Sequence, residues 1–204
     1  AEDPYVITGS EDLWKFAKIV KASPDKNECA KVADGVTQID TTVRGEKTDL
    51  TWNPIGDFSG SYKGVFDGNG AEITIHADIS INNNAGLFGI LGSGGEIRNV
   101  TTAGSSKGSA NVGGICGQAC SDAKIVNCNN KADITATGGP AGGLAGYASS
   151  AQIESDTSIS NTGAVTGTAN VGGLVGQASG GMKVIAHEGI LNSGSITAKS
   201  SGYV

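Results

Sequence analysis

Aromatic residues supply only 5% of this 204-residue chain, and its 14 lysines and arginines are scattered rather than grouped. No apolar run approaches the roughly 20 residues needed to cross a bilayer as a helix. Phosphate neutralisation needs clustered cations, so this scatter and a net charge of −6 argue against a nucleic-acid partner. The sequence also lacks a Gly-x-Ser-x-Gly elbow, a His-Glu-x-x-His pair and a phosphate-cradling P-loop, and His187-Glu188 has no second histidine in phase. With 38% hydrophobic residues and few rings, the expected core is narrow and built of small aliphatics, in a chain long enough for one elongated domain.

Glycine is abundant, at 33 residues, and much of it falls in one phrase written four times. The copies are Ala85-Gly86-Leu87-Phe88-Gly89, Val112-Gly113-Gly114-Ile115-Cys116-Gly117, Ala141-Gly142-Gly143-Leu144-Ala145-Gly146 and Val171-Gly172-Gly173-Leu174-Val175-Gly176. Their closing glycines are 28, 29 and 30 residues apart. A period of that size marks stacked supersecondary units. A second apolar point recurs at Ile97, Ile125, Ile153 and Val184, with Asn99 and Asn127 just after the first two. A third recurs at Ile134, Val165 and Ile196, preceded in register by Asn130, Asn161 and Asn192. Three short apolar runs per unit, punctuated by Gly, Asn and Ser, predict three strands and three turns, which is one coil of a β-helix. Helical repeats are excluded because each glycine costs up to about 1 kcal/mol relative to Ala inside a helix. Collagen is excluded because the glycines do not fall on every third residue. Stacked coils predict Leu87, Ile115, Leu144 and Leu174 in one internal column, about 4.8 Å apart.

These phrases carry a family resemblance. Gly172 to Gln177 and Gly113 to Gln118 resemble the GLUG motif of bacterial surface and secreted proteins, and Ile125-Val126-Asn127-Cys128 resembles its second half. Trp52-Asn53-Pro54-Ile55-Gly56 and Phe66-Asp67-Gly68-Asn69-Gly70 resemble the segment that leads into such arrays. The resemblance runs from about residue 50 to the end. It implies a right-handed parallel β-helix in an extracellular protein, sometimes attached to a peptidase or adhesin, and supplies no general catalytic residues. Copies three and four depart from the motif: Ser155-Asp156 and Ala186-His187 stand where copy two has Asn127-Cys128, which predicts an irregular corner.

Before the repeats, Leu13, Phe16, Ala17 and Val20 form an apolar stripe at helical spacing, with Ser10, Glu11 and Asp12 at a start suited to capping. Thr8 and Glu11 are a candidate capping box. The open end of a solenoid exposes strand edges and core, so residues 1–21 are expected to form a strand and a lid helix rather than a partner-binding helix. Residues 1–50 are thus assigned to an N-terminal cap with a first irregular coil, and 51–204 to the β-helix. The chain opens on Ala1 without a leader, so any signal peptide is expected to have been removed or to lie outside this sequence. Gly202-Tyr203-Val204 resembles Ala169-Asn170-Val171, the lead-in to a coil, which points to a segment of a longer protein.

Side chains with chemistry are few. Cys29, Cys116, Cys120 and Cys128 permit two disulfides in three connectivities, but lack zinc spacing. Phe88, Ala145 and Val175 share the register of Cys116, so core filling by free or partly buried thiols is the expected role. Asp67-Gly68-Asn69-Gly70 offers oxygens but lacks the alternating acids of a calcium loop, and reads as a tight turn with positive φ. Glu154 and Asp156 lie in coil three, and His187 lies one repeat after Asp156, so the latter two are the candidates for an acid/base pair. A solvated corner with one ion pair is the simpler reading. Thr135, Thr137, Thr166, Thr168 and Thr197 recur as an ice-binding surface would require, but Lys199 interrupts that column and threonine is ordinary on exposed strands.

No catalytic, cofactor-binding or metal-binding residue is therefore assigned. Two functions remain: a non-catalytic scaffold or adhesion segment of a larger bacterial secreted or cell-surface protein, contacting other domains of the same chain and host protein or glycan, or a carbohydrate-active lyase or hydrolase of the β-helix type. Sugar grooves stack on aromatic rings, yet Trp14 and Trp52 precede the repeats and only Tyr147 and Tyr203 lie within them. That favours the scaffold.

Overall fold

The computed structural model describes residues 3–23, 25–79 and 84–199. The apparent lead-in at Gly202-Tyr203-Val204 lies outside the described residues. The chain winds into a β-solenoid of parallel strands, and among the described residues it has one helix and a first sheet of seven rungs. Those rungs are Tyr5–Ile7, Ala30–Val32, Val65–Asp67, Glu96–Arg98, Lys124–Val126, Gln152–Ser155 and Lys183–Ala186. Ala30, Phe66, Ile97, Ile125, Ile153 and Val184 stand directly over one another along it. This apolar column follows from the expected spacing, because strand side chains alternate and only one face can point inward.

The second sheet opens with Gln38–Asp40, Glu72–Ile79 and Thr101–Gly108, all parallel. In later coils the long strand divides into two: Asn129–Asn130 and Asp133–Ala136, Ser158–Asn161 and Val165–Gly167, Gly189–Asn192 and Ile196–Ala198. Asparagine causes the break. The Asn130 amide donates to the carbonyl of Ala132 two residues on (2.8 Å), and Asn161 and Asn192 repeat the contact with Gly163 and Gly194. Such a local bond competes with the ladder and bends the strand. The remaining amide hydrogens link the coils: Asn130 donates to Asn161 and Asn161 to Asn192, both at 2.7 Å, while Thr102 donates to Asn130 at 2.8 Å.

The third sheet joins Phe88–Leu91, Cys116–Ala119, Ala145–Ser149 and Val175–Ser179, with Ala141–Gly142 and Val171–Gly172 paired beside it. Cys116 does share register with Phe88 and Ala145, and all four cysteines are free thiols. Burial pushes the Cys128 thiol up to about 12 and that of Cys116 also upward, so both stay protonated packing groups. Leu87, Ile115 and Leu144 are fully buried. Leu174 packs on the same core but is only partly buried, and Ile196 is 42% exposed, because both belong to the last described coil. Ile134 and Val165 belong to a separate small core with Val112 and Ala141, under the corner between the second and third sheets.

Helix α1 (Ser10–Ala22) closes the N-terminal end, burying Leu13, Phe16 and Val20. Phe16 stacks on Tyr5 (5.8 Å) and meets Tyr62 and Phe66 at 6.1 and 6.2 Å, while Phe88 lies 5.0 and 5.2 Å from those two rings. Aromatic residues thus gather where the lid must fill the mouth of the solenoid. The expected capping pair is displaced by one residue. Gly9 is the N-cap, so the third helical position is Asp12, which accepts from the Thr8 hydroxyl (2.5 Å) and N–H (3.1 Å); Glu11 faces Arg44 instead. These bonds from Thr8 hold the Asp12 carboxyl below the usual range.

Candidate functional site

The departure of copies three and four from the motif has a geometric cause. Val126 stands beside Glu154 and Asn130 beside Asn161, yet four positions separate the first members of these pairs and seven the second. The fourth copy repeats the wider spacing between Ile185 and Asn192. Three extra residues therefore swell this corner in two successive coils. A cavity of about 230 Å³ opens there, lined by Val126, Glu154, Ser155, Asp156, Ile185 and His187.

Asn127 organises its upper side. It sits at positive φ (52°), and its carbonyl oxygen accepts from the Ser155 hydroxyl (3.0 Å) and the Asp156 N–H (2.9 Å). Its amide reaches the Asp156 carboxylate at 3.4 Å. His187 is placed by its backbone, whose N–H donates to Ser155 O at 3.2 Å. The corner thus brings Asp156 and His187 to one cavity without joining them: among the described residues no ion pair or hydrogen bond connects them. Ile185, 44% exposed, adds an apolar wall. A general base must be within hydrogen-bond reach of its proton and held in one tautomer by a partner. The His187 ring has no such partner among the described residues.

Asp67-Gly68-Asn69-Gly70 forms a turn, with Asn69 and Gly70 at φ 51° and 82°. The Asp67 carboxylate accepts from Arg98 Nε, Asn99 Nδ2 and Asn69 N at 3.0, 3.0 and 2.9 Å. Burial alone would raise its pKa, but these bonds and the Arg98 charge outweigh burial and hold it low. Asp67 ties the third rung to the fourth.

A second cavity, of about 260 Å³, was not foreshadowed by any repeat. It lies between the C-terminal half of helix α1 and the segment 53–60. Trp14 and Pro54 supply apolar wall, Lys18 and Lys21 the rim, and Asp57 and Ser59 the opposite side. Trp52, aligned in sequence with a lead-in motif, does not line it: Trp52 is fully buried, edge-on to Trp14 at 4.9 Å, and donates to Leu87 O at 3.0 Å. The segment 53–60 is held by reciprocal backbone bonds between Asp57 and Gly60 at 3.1 Å.

The fold has a solved counterpart. A crystal structure from Bacteroides ovatus, provisionally named an immunoglobulin A1 protease, superposes with a TM-score of 0.61 at 21% identity, over 93% of this chain and 68% of that one. The likeness is one of fold. No family model matches the sequence, and no curated protein does.

Proposed function

We propose that this chain is a non-catalytic rod, a scaffold or adhesion segment of a larger bacterial protein at the cell surface or outside the cell. The observation that carries the reading is continuity: seven parallel rungs stack in one sheet and six of them share one column of apolar side chains, so the molecule is stiff along its axis and offers long lateral faces. The GLUG-like phrases and the name given to the Bacteroides ovatus chain support an extracellular setting and a parent that contains a peptidase elsewhere. Host protein or glycan is the proposed lateral contact. The rival reading, a β-helix lyase or hydrolase, would use the corner cavity with Asp156 and His187.

A polysaccharide-cleavage panel run on the wild type, Asp156→Asn and His187→Ala decides between them. The expected result is no turnover by any of the three. Turnover by the wild type that disappears in either variant would overturn the rod reading.

A further inference from the structure

We infer that the cleft between helix α1 and the segment 53–60 is a binding site for an acidic sugar, a pyranose bearing a carboxylate. Charge is the first argument. The chain carries a net charge of −6, yet helix α1 presents Lys15, Lys18 and Lys21 at three-residue intervals. Lys15 is paired with Asp12 at 3.4 Å. Lys18 and Lys21 overhang the cleft, and neither ammonium has a hydrogen bond or ion pair among the described residues. A ligand carboxylate between them would gain charge-assisted hydrogen bonds that the protein does not make itself.

The remainder of the cleft suits a sugar ring more than a bare anion. Pro54 and the part of the Trp14 indole left uncovered by Arg44, which stands over that ring at 5.9 Å to the centroid, give the cleft an apolar wall for the C–H groups of a pyranose. Across from them, Asp57 uses one carboxylate oxygen on the Ser59 N–H and hydroxyl, at 2.8 and 2.5 Å, and its other oxygen is left to accept from ligand hydroxyls. Burial would raise the Asp57 pKa, but the Ser59 bonds and the nearby Lys21 charge prevail and keep it ionised. Lys26 links the two walls. Lys26 bonds the carbonyls of Lys21 and Ser23 at the end of the helix, and its stem lies so close to Gly60 that a Cβ there would come within 2.4 Å of its Cε.

This assignment is independent of the rod reading, since such a site would serve an adhesin or an enzyme. Its test is titration of the full chain with glucuronic acid, N-acetylneuraminic acid, a hyaluronan hexasaccharide, neutral glucose and a poly-glutamate peptide, read by tryptophan fluorescence and calorimetry. Saturable binding of at least one acidic sugar is expected, weakened about tenfold or more in Lys18→Ala/Lys21→Ala. Lys124→Ala, an exposed lysine on the first sheet, should leave it unchanged. The variants change exposed side chains, so circular dichroism should report an intact fold. Absence of saturable binding by all acidic sugars up to about 10 mM would overturn the assignment. So would equal binding of glucose, equal binding of poly-glutamate, or indifference to the double substitution.

Discussion

At the scale of single residues, side-chain direction decides what a substitution does. Leu144 is fully buried, with Leu87 and Ile115 in the coils above it, whereas Thr166 stands on the second sheet between Thr135 and Thr197, partly open to water. Leu144→Asp would bury an unpaired carboxylate, and we expect it to cost more than about 4 kcal/mol, while Thr166→Asp should stay within about 0.5 kcal/mol. Thermal unfolding of the two variants checks the facing. Comparable melting temperatures would mean that the columns are wrongly assigned.

At the scale of the repeat, two sequence features turn out to be one. The second glycine of the last three phrases makes room for the asparagine ladder: a Cβ on Gly114 would lie 2.0 Å from Asn130 Oδ1, and one on Gly143 or Gly173 would lie 2.5 or 2.7 Å from the Cγ of Asn161 or Asn192. The first copy has one glycine before Leu87, and there the ladder begins with Thr102 in place of asparagine. Asn161→Ala should cost about 1–3 kcal/mol, because it leaves one hydrogen of the buried Asn130 amide without an acceptor. Asn192→Ala, at the exposed end of the ladder, should cost less, since water can replace its bonds. Urea unfolding separates the two, and equal losses would contradict a buried, cooperative ladder.

That pairing shows what could be read beforehand. Apolar columns and the asparagine register were visible because a parallel coil returns the same side chain to the same place once per turn, and helix α1 was visible because a buried stripe needs its own spacing. The space shared by glycine and asparagine was hidden, since the two lie far apart within a coil and meet only after closure. The Asp156 and His187 corner was half visible. Counting one repeat between them brought both to one cavity, but three inserted residues at each turn alter how their side chains meet. The α1 cleft left no trace in the repeats because residues 14–26 and 53–60 precede them.

At the scale of the whole molecule, the aromatic cluster at the N-terminal end makes helix α1 a structural plug. Removing residues 1–22 would uncover Tyr62 and Phe66 together with the free edge of the strand Ala30–Val32. The truncated chain should therefore aggregate, as measured by size-exclusion chromatography with light scattering. A monomeric truncation of unchanged stability would show that the lid is dispensable. The amide ladder has a consequence at this scale too. Every donor in the series from Thr102 through Asn130 and Asn161 points toward Asn192, which spends one amide hydrogen on Gly194 O and, among the described residues, offers the other to no acceptor. The dipoles add head to tail, so the rod has an electrical sense as well as an axis. A coil placed beneath Asn192 in the same orientation would present an acceptor to that hydrogen and lengthen the series, whereas an inverted rod would meet it donor against donor. The ladder thus distinguishes one end of the solenoid from the other.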